Sequence, residues 1–349
     1  MTAVSLPRTG ISRDVVVTLG AFLLGVALLA LFLLLAGFDA GAALAALWRG
    51  AFGSWYAVTS ATLVRATPLI VLGLAFTLAS RGGALNIGME GQFALGATAA
   101  TWAGLHAEAL PPMVAIPLVL ACGAVAGAAW VLLPVALRLR FGVTEVISTL
   151  LLNFVADAVV SYAVTGPLQE PTHIYPQSAT IAVSAQLPKL VDGARMHLGL
   201  PIALALAVLL GVLLWRSRWG FRLRAVGAGA AAARVSGGIA ASGVLASALL
   251  WSGALAGLGG AIEVGGVSYA LYQNLSPGYG FTAIAVALLG RLQPLGVVIA
   301  GLLFGALEAG AGAMQRDAGI PAVAVQVVEA VVILTLVVLT KRGGSSGDR

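Results

Sequence analysis

Pro117 to Leu137 reads PLVLACGAVAGAAWVLLPVAL, a run with no charged side chain. It matches the roughly 20 residues that a helix needs to cross a hydrocarbon core about 30 Å thick. Two further runs, Val15 to Gly37 and Val323 to Leu339, carry almost no charge either. The composition extends this reading to the whole chain. Of 349 residues, 60% are hydrophobic and only 9% charged, and the mean hydropathy is +1.02. A soluble domain has about a quarter of its residues charged, so most of this surface faces something other than water. Membrane barrels show alternating strands of about ten residues instead.

The fold class predicted is therefore all-α, a polytopic transmembrane helical bundle. About ten spans are expected, near 15–37, 59–80, 84–105, 113–137, 143–165, 199–215, 239–262, 270–290, 295–314 and 321–340. They form a single transmembrane domain over 1–349, with tails at 1–14 and 341–349. Small residues fit this reading: the chain has 45 glycines, and small side chains let helix backbones approach closely in a bilayer. The first apolar run is too long for a signal-peptide core and lacks a clear cleavage site, so it is expected to remain as a helix.

Charge orients the spans. With the N-terminus cytoplasmic, the inner segments collect Arg8, Arg13, Arg81, Arg138, Arg140, Arg216, Arg218, Arg222, Arg224, Arg234, Arg291, Lys341, Arg342 and Arg349. The outer segments collect only Arg49, Lys189, Arg195 and Arg316. This positive-inside bias predicts that both termini are cytoplasmic. The net charge of +6 thus reports membrane orientation and lipid contact, and no nucleic-acid partner is expected.

Two spans are irregular. Tyr269 to Gly280 carries Gln273, Asn274 and Pro277 and reads as a short or broken helix, tolerated at membrane depth only where protein or a wet cavity satisfies the backbone. Residues 39–65 hold Trp48, Trp55 and Tyr56, aromatics suited to the interface. An internal repeat is a further expectation: Ala75 to Leu85 (AFTLASRGGAL) can be laid on Ala285 to Leu295 (AVALLGRLQPL).

Polar residues inside spans carry the functional question, because an ionisable group in hydrocarbon costs about 2.5–3.5 kcal/mol on insertion scales. Asn86, Glu90 and Gln92 open the third span. Glu145, Thr149, Asn153 and Asp157 form an i+4 row along one face of the fifth. Glu263, Glu308 and Glu329 lie in later spans. For any one of them, interhelical glue is the simpler account; the row on the fifth span is the better candidate for a solute pathway. Phe154, Tyr162, Tyr269, Tyr272 and Tyr279 are the aromatic surfaces available for stacking a solute, with anchoring at the membrane edge as their other use. No phosphate-binding GxxxxGK[ST] loop, metal-ligand spacing or catalytic triad occurs, so the chain reads as a transport subunit without enzymatic activity or cofactor. An energy-coupled process then needs an ATPase on another chain, or an ion gradient. Arg216 to Gly238, with five arginines, is either a lipid-facing basic loop or a docking element.

Several of these stretches resemble a known family. RGGALNIGMEGQFALGA (Arg81 to Ala97) is similar to the signature of ABC-importer permeases of the branched-chain amino acid and simple-sugar superfamily, in the form of its nucleoside branch. TEVISTLLLNFVA (Thr144 to Ala156), GFRLRAVGAGAAAARVSGGIA (Gly220 to Ala240), SGALAGLGGAIEV (Ser252 to Val264) and the run from Gly278 to Leu307 extend the resemblance in order. It implies a permease importing nucleosides across the bacterial cytoplasmic membrane, or simple sugars such as ribose. A gradient-driven secondary transporter using Asp157 and Glu329 is the reading from another class. The implied partners are a cytoplasmic ABC ATPase, a second related permease or a second copy of this one, and an extracytoplasmic substrate-binding lipoprotein of the basic membrane protein family. Within it, residues 216–238 are the coupling loop, with Arg218, Arg222, Arg224, Gly227, Arg234 and Gly238 as its ATPase-facing residues. The family pattern has an Asn-Pro-like pair where this chain has Gly229-Ala230, which leaves the start of the second coupling helix open.

Overall fold

The computed structural model describes Ala27, residues 30–321 and Val327. The expected spans near 15–37 and 321–340 fall wholly or for most of their length outside the described residues, as do Glu329 and the tails 1–14 and 341–349. The regular elements are helices: α1 Ala40–Phe52, α2 Trp55–Arg81, α3 Met89–Leu105, α4 Pro112–Phe141, α5 Glu145–Thr165, α6 Gly199–Arg216, α7 Arg218–Ala228, α8 Ala230–Gly237, α9 Ala241–Ser268, α10 Tyr279–Leu289 and α11 Pro294–Asp317.

Among the described residues, α2, α4, α5, α6, α9 and α11 are long and apolar enough to cross a membrane. α3 has 17 residues and spans about 25 Å at 1.5 Å per residue; the non-helical stretch 82–88 leads into it. α10 has only 11 residues, about 16 Å. The broken helix expected over 270–290 is therefore helical only in its second part. Asp39 caps α1, its Oδ1 accepting from the Ala42 N–H at 2.9 Å. The break at Gly53 and Ser54 separates α1 from α2, so 39–65 is a short helix followed by the start of a span.

The described residues divide into two compact units. In the smaller, formed by residues up to Gly53 and from Leu307 onward, Leu33, Ala43 and Ala46 pack with Ala311, Met314 and Ile320. The larger unit is Ser54–Ala306. α2 and α9 form its interior, and α4, α5 and α6 keep an apolar face outward.

Glycine makes the α3–α4–α9 core possible. A Cβ on Gly123 would lie 2.6 Å from the Ala261 Cβ, and one on Gly257 would lie 2.9 Å from the Gly127 N. Gly96 and Gly257 touch backbone to backbone with no room for any side chain between them. Without a hydrophobic drive between helices in lipid, such close packing is what holds them together.

Candidate functional site

The lead-in to α3 is held by the α5 row. The Asn153 Oδ1 accepts from the Gly91 N–H at 2.9 Å, and its Nδ2 donates to the Ile87 carbonyl at 3.1 Å. The Thr149 Oγ1 accepts from the Ile87 N–H at 3.3 Å, and the Glu145 Oε1 from the Leu85 N–H at 3.4 Å. Glu145 also pairs with Arg138 at 3.4 Å. Side chains four apart on a helix share one face, and on this face Glu145, Thr149 and Asn153 meet Leu85, Ile87 and Gly91 in turn.

Asn86 belongs to the same scaffold. Its amide exchanges hydrogen bonds with the Gln92 amide at 2.8 and 3.0 Å, and donates to the Ser252 Oγ on α9 at 2.9 Å. Its Oδ1 also accepts from the Gly88 N–H at 3.1 Å. Asn86, Gln92, Glu145, Thr149 and Asn153 are all buried, and their polar atoms serve protein partners.

Glu90 and Asp157 are placed differently. One turn beyond Asn153, Asp157 is the member of the row that reaches a cavity of about 150 Å³. Glu90, Phe93, Asn274, Ser276 and Phe281 line this cavity with it. The Glu90 Oε2 accepts from the Gly280 N–H at 2.6 Å, and the Ser276 hydroxyl and Gly278 N–H reach the same carboxylate. Ser276 braces the turn that leads into α10, its Oγ accepting from the Gly278 and Tyr279 N–H groups at 3.1 and 2.9 Å. Gly278 has φ 101°, a left-handed conformation that glycine adopts without steric cost. A Cβ on Gly280 would lie 2.8 Å from the Glu90 carboxylate. The Phe93 and Tyr279 rings meet edge-on at 6.0 Å. About 150 Å³ is the size of a cavity that admits one benzene-sized ring. Its walls combine aromatic faces with carboxylate, amide and hydroxyl groups, suited to a ring that carries hydrogen-bond donors.

Tyr269 and Tyr272 sit on the segment between α9 and α10, along which the outer segment 167–197 runs. The Ile181 N–H donates to the Tyr269 carbonyl at 2.9 Å, and the Ser178 N–H to the Leu271 carbonyl at 2.7 Å. Gln177 bridges to Tyr272. Leu271 faces the cavity, so these bonds tie an outer cover to its wall. Tyr272 is exposed, and neither tyrosine lines the cavity. The sequence reading missed Phe93, Asn274, Ser276 and Phe281. Only Ser276-Pro277-Gly278, a cap-like triplet in an apolar run, signalled them.

At the opposite end, α7 and α8 make up the segment expected to be the coupling loop, joined at Gly229 with extended backbone (φ 173°). That resolves where the second helix begins: at Ala230, despite the absence of an Asn-Pro-like pair. Arg218, Arg222 and Arg234 are exposed, as are Phe221 and Val235. Arg224 turns inward, its guanidinium 4.3 Å from the centre of the Trp215 ring. Gly227 lies against the Arg81 carbonyl with no room for a Cβ, and Gly238 ends α8 in a left-handed turn at φ 59°.

A family model described as the permease component of branched-chain amino acid transport systems matches residues 58–340. The guanosine ABC transporter permease protein NupP of Bacillus subtilis is 39% identical over 322 residues, covering 91% of each chain. The nucleoside ABC transporter permease protein NupB of Lactococcus lactis is 33% identical over 94% of this chain and 92% of its own. A glucose ABC transporter permease protein of Haloferax volcanii is 41% identical over 79% of this chain and 74% of its own. No solved structure matches the chain.

Proposed function

Because the chain belongs to the family of permease components of branched-chain amino acid transport systems, and is a multi-pass membrane subunit of the ABC transporter type, we propose that it carries nucleosides across the cell membrane. The observation that supports this most is likeness over nearly the whole length to permeases named for guanosine and nucleosides. The cavity agrees with it: Phe93 and Phe281 offer faces to a flat ring, and Asp157 and Asn274 offer partners to hydroxyls. Room for one ring means that a nucleoside enters only as the site opens, which fits an alternating-access cycle. The glucose relative supports a second reading, the same machine passing a simple sugar.

Energy comes from a separate ATPase docked on α7 and α8 from the cytoplasm, where Arg218, Arg222 and Arg234 are free to meet it. The arginines at that end of α2, α4, α6 and α10 orient it inward by the positive-inside bias. Asp157 lines the cavity yet is exposed, and a carboxylate exposed on a span is costly against lipid. That supports a second permease, related or identical, facing α5 across the path. A substrate-binding protein delivers solute to the outer segment 167–197.

The test is uptake of radiolabelled guanosine, adenosine, uridine, ribose and glucose by cells with and without this chain. Loss of nucleoside uptake alone is the expected result. Loss of sugar uptake alone moves the solute to sugars. Uptake that survives ATP depletion but collapses with the proton gradient overturns the ABC mechanism.

A further inference from the structure

The half-length helix α10 carries no acid in its first turn and no base in its last, yet both ends are answered from outside the helix. At its N-terminus stands the Glu90 carboxyl group, 2.6 Å from the Gly280 N–H. At its C-terminal turn stands the Arg81 guanidinium, its Nε donating to the Leu292 carbonyl at 2.9 Å and Nη2 to the Arg291 carbonyl at 3.4 Å. A carboxyl group accepting at the N-terminus and a guanidinium donating at the C-terminal turn are the partners that the free N–H and C=O groups of a helix need. Both groups come from one short stretch, nine positions apart, that runs beside α10 and is held by α5 and α9. Arg291 and Leu292 have φ of 54° and 53°, a left-handed pair without glycine. Such a turn persists only where its surroundings hold it, and Arg81 bonds to both of its carbonyls.

The same arginine faces the coupling loop. Its guanidinium lies 5.9 Å from the centre of the Trp215 ring, which Arg224 of α7 also covers at 4.3 Å. A Cβ on Gly82 would lie 2.8 Å from the Leu223 Cδ2 of α7, and the backbone of Gly227 rests on the Arg81 carbonyl. Leu223 is fully buried. α7 therefore has a rigid contact with the Arg81 turn, and that turn has a directed contact with the far end of α10. Ser276 and Phe281, at the other end of α10, line the cavity.

We infer that Arg81 is the positioning residue through which movement of the coupling helices reaches α10, and that α10 moves as a unit to open and close the cavity. This deepens the permease reading and depends on an attached ATPase, but it does not depend on which solute is carried. The chain has one cysteine, Cys122, so Cys122→Ser gives a thiol-free background in which Phe281→Cys reports access to the cavity. The experiment uses the complete transporter, co-purified with its ATPase in lipid nanodiscs. Labelling of position 281 by a water-soluble maleimide is followed on this chain by mass, with and without vanadate-trapped nucleotide. Trapping should change the labelling rate at least about fivefold, the low end of ordinary coupling. Arg81→Gln should abolish that change while ATP hydrolysis continues. Trp215→Leu, which leaves both carbonyl bonds in place, should weaken it and carries the test if Arg81→Gln fails to assemble. A residue that only stabilised the fold would lower yield and melting temperature but leave the nucleotide-dependent change intact. Persistence of the change in both variants, or no change in the Arg81 background, overturns the proposal. Neither result bears on the nucleoside assignment, because no transported solute is present.

Discussion

Along one face of α5, neighbouring polar side chains have different jobs. Asn153 has both ends of its amide in bonds to the α3 lead-in, whereas Asp157 opens onto the cavity. Asn153→Leu would leave a buried N–H and a buried carbonyl unpaired, at about 1–3 kcal/mol for each such group. A clear fall in melting temperature in detergent is expected. Asp157→Asn should leave the melting temperature within a degree or two, since about 1 kcal/mol is worth only a few degrees in a chain of this size, while uptake falls. Equal thermal losses in the two variants would remove the distinction. His197 supplies a pH prediction outside the spans. Its ring is buried, Nδ1 accepts from the Gly199 N–H at 3.1 Å, and Nε2 has no partner among the described residues. Burial first, and the Arg195 charge second, push its pKa from 6.5 down to about 4. The unfolded chain takes up a proton near 6.5 and the folded chain only near 4, so the stabilisation is complete above 6.5 and is lost as pH falls between these values. The loss is on the order of 3 kcal/mol and levels off below about pH 4. Melting curves from pH 7 to 4.5 should show it, and His197→Phe should flatten that part of the dependence.

Helices in the larger unit meet through glycine faces, and the consequence is sharp. Gly257 sits against the backbones of Gly96 and Gly127, so a side chain there must push α3 or α4 away. Gly257→Leu is expected to cost more than about 3 kcal/mol, the upper range for overpacking, and to shift the protein from a single peak to aggregate in size-exclusion chromatography. Gly211 on α6, where a Cβ meets nothing within 4 Å, is the control: Gly211→Ala should run as the parent. The repeat expectation also belongs at this scale. The turns after α2 and after α10, laid on one another in sequence, touch through Arg81 and the carbonyls of Arg291 and Leu292.

For the whole molecule, the useful contrast is between the two ends of the bundle. One end presents α7 and α8 with exposed Arg218, Arg222 and Arg234. The other carries the segment 167–197, bonded along the α9–α10 connection. There Glu170 accepts from Gln177 and Thr172, which hold its carboxyl below the usual carboxylate range. Docking of an ATPase on the first end predicts that Arg222→Glu with Arg234→Glu will lose the ATPase on affinity purification of the tagged permease. The permease itself should keep its melting temperature, since both side chains are exposed. Retention of the ATPase at parental stoichiometry would move the docking site elsewhere.

Membrane class, helical architecture and the motif-bearing stretches were legible in the chain because they rest on local properties: unbroken apolar runs, arginines at span ends, and small residues within the spans. Polar residues in the spans were legible as a set too, since charge in hydrocarbon demands a reason. The division of labour among them was not. Thr149, Asn153 and Asp157 share one helix face, and only packing of the α3 lead-in against that face decides which are occupied. Phe93, Asn274, Ser276 and Phe281 come together from segments about 180 positions apart, with no local signal for their meeting. The same holds for Arg81: its distance from Arg291 and Leu292 in sequence hides a hydrogen bond that depends on how α2, α6, α7 and α10 pack. Burial pattern and charge follow from what each residue is, whereas cavities and relays follow from which backbones come close enough to touch.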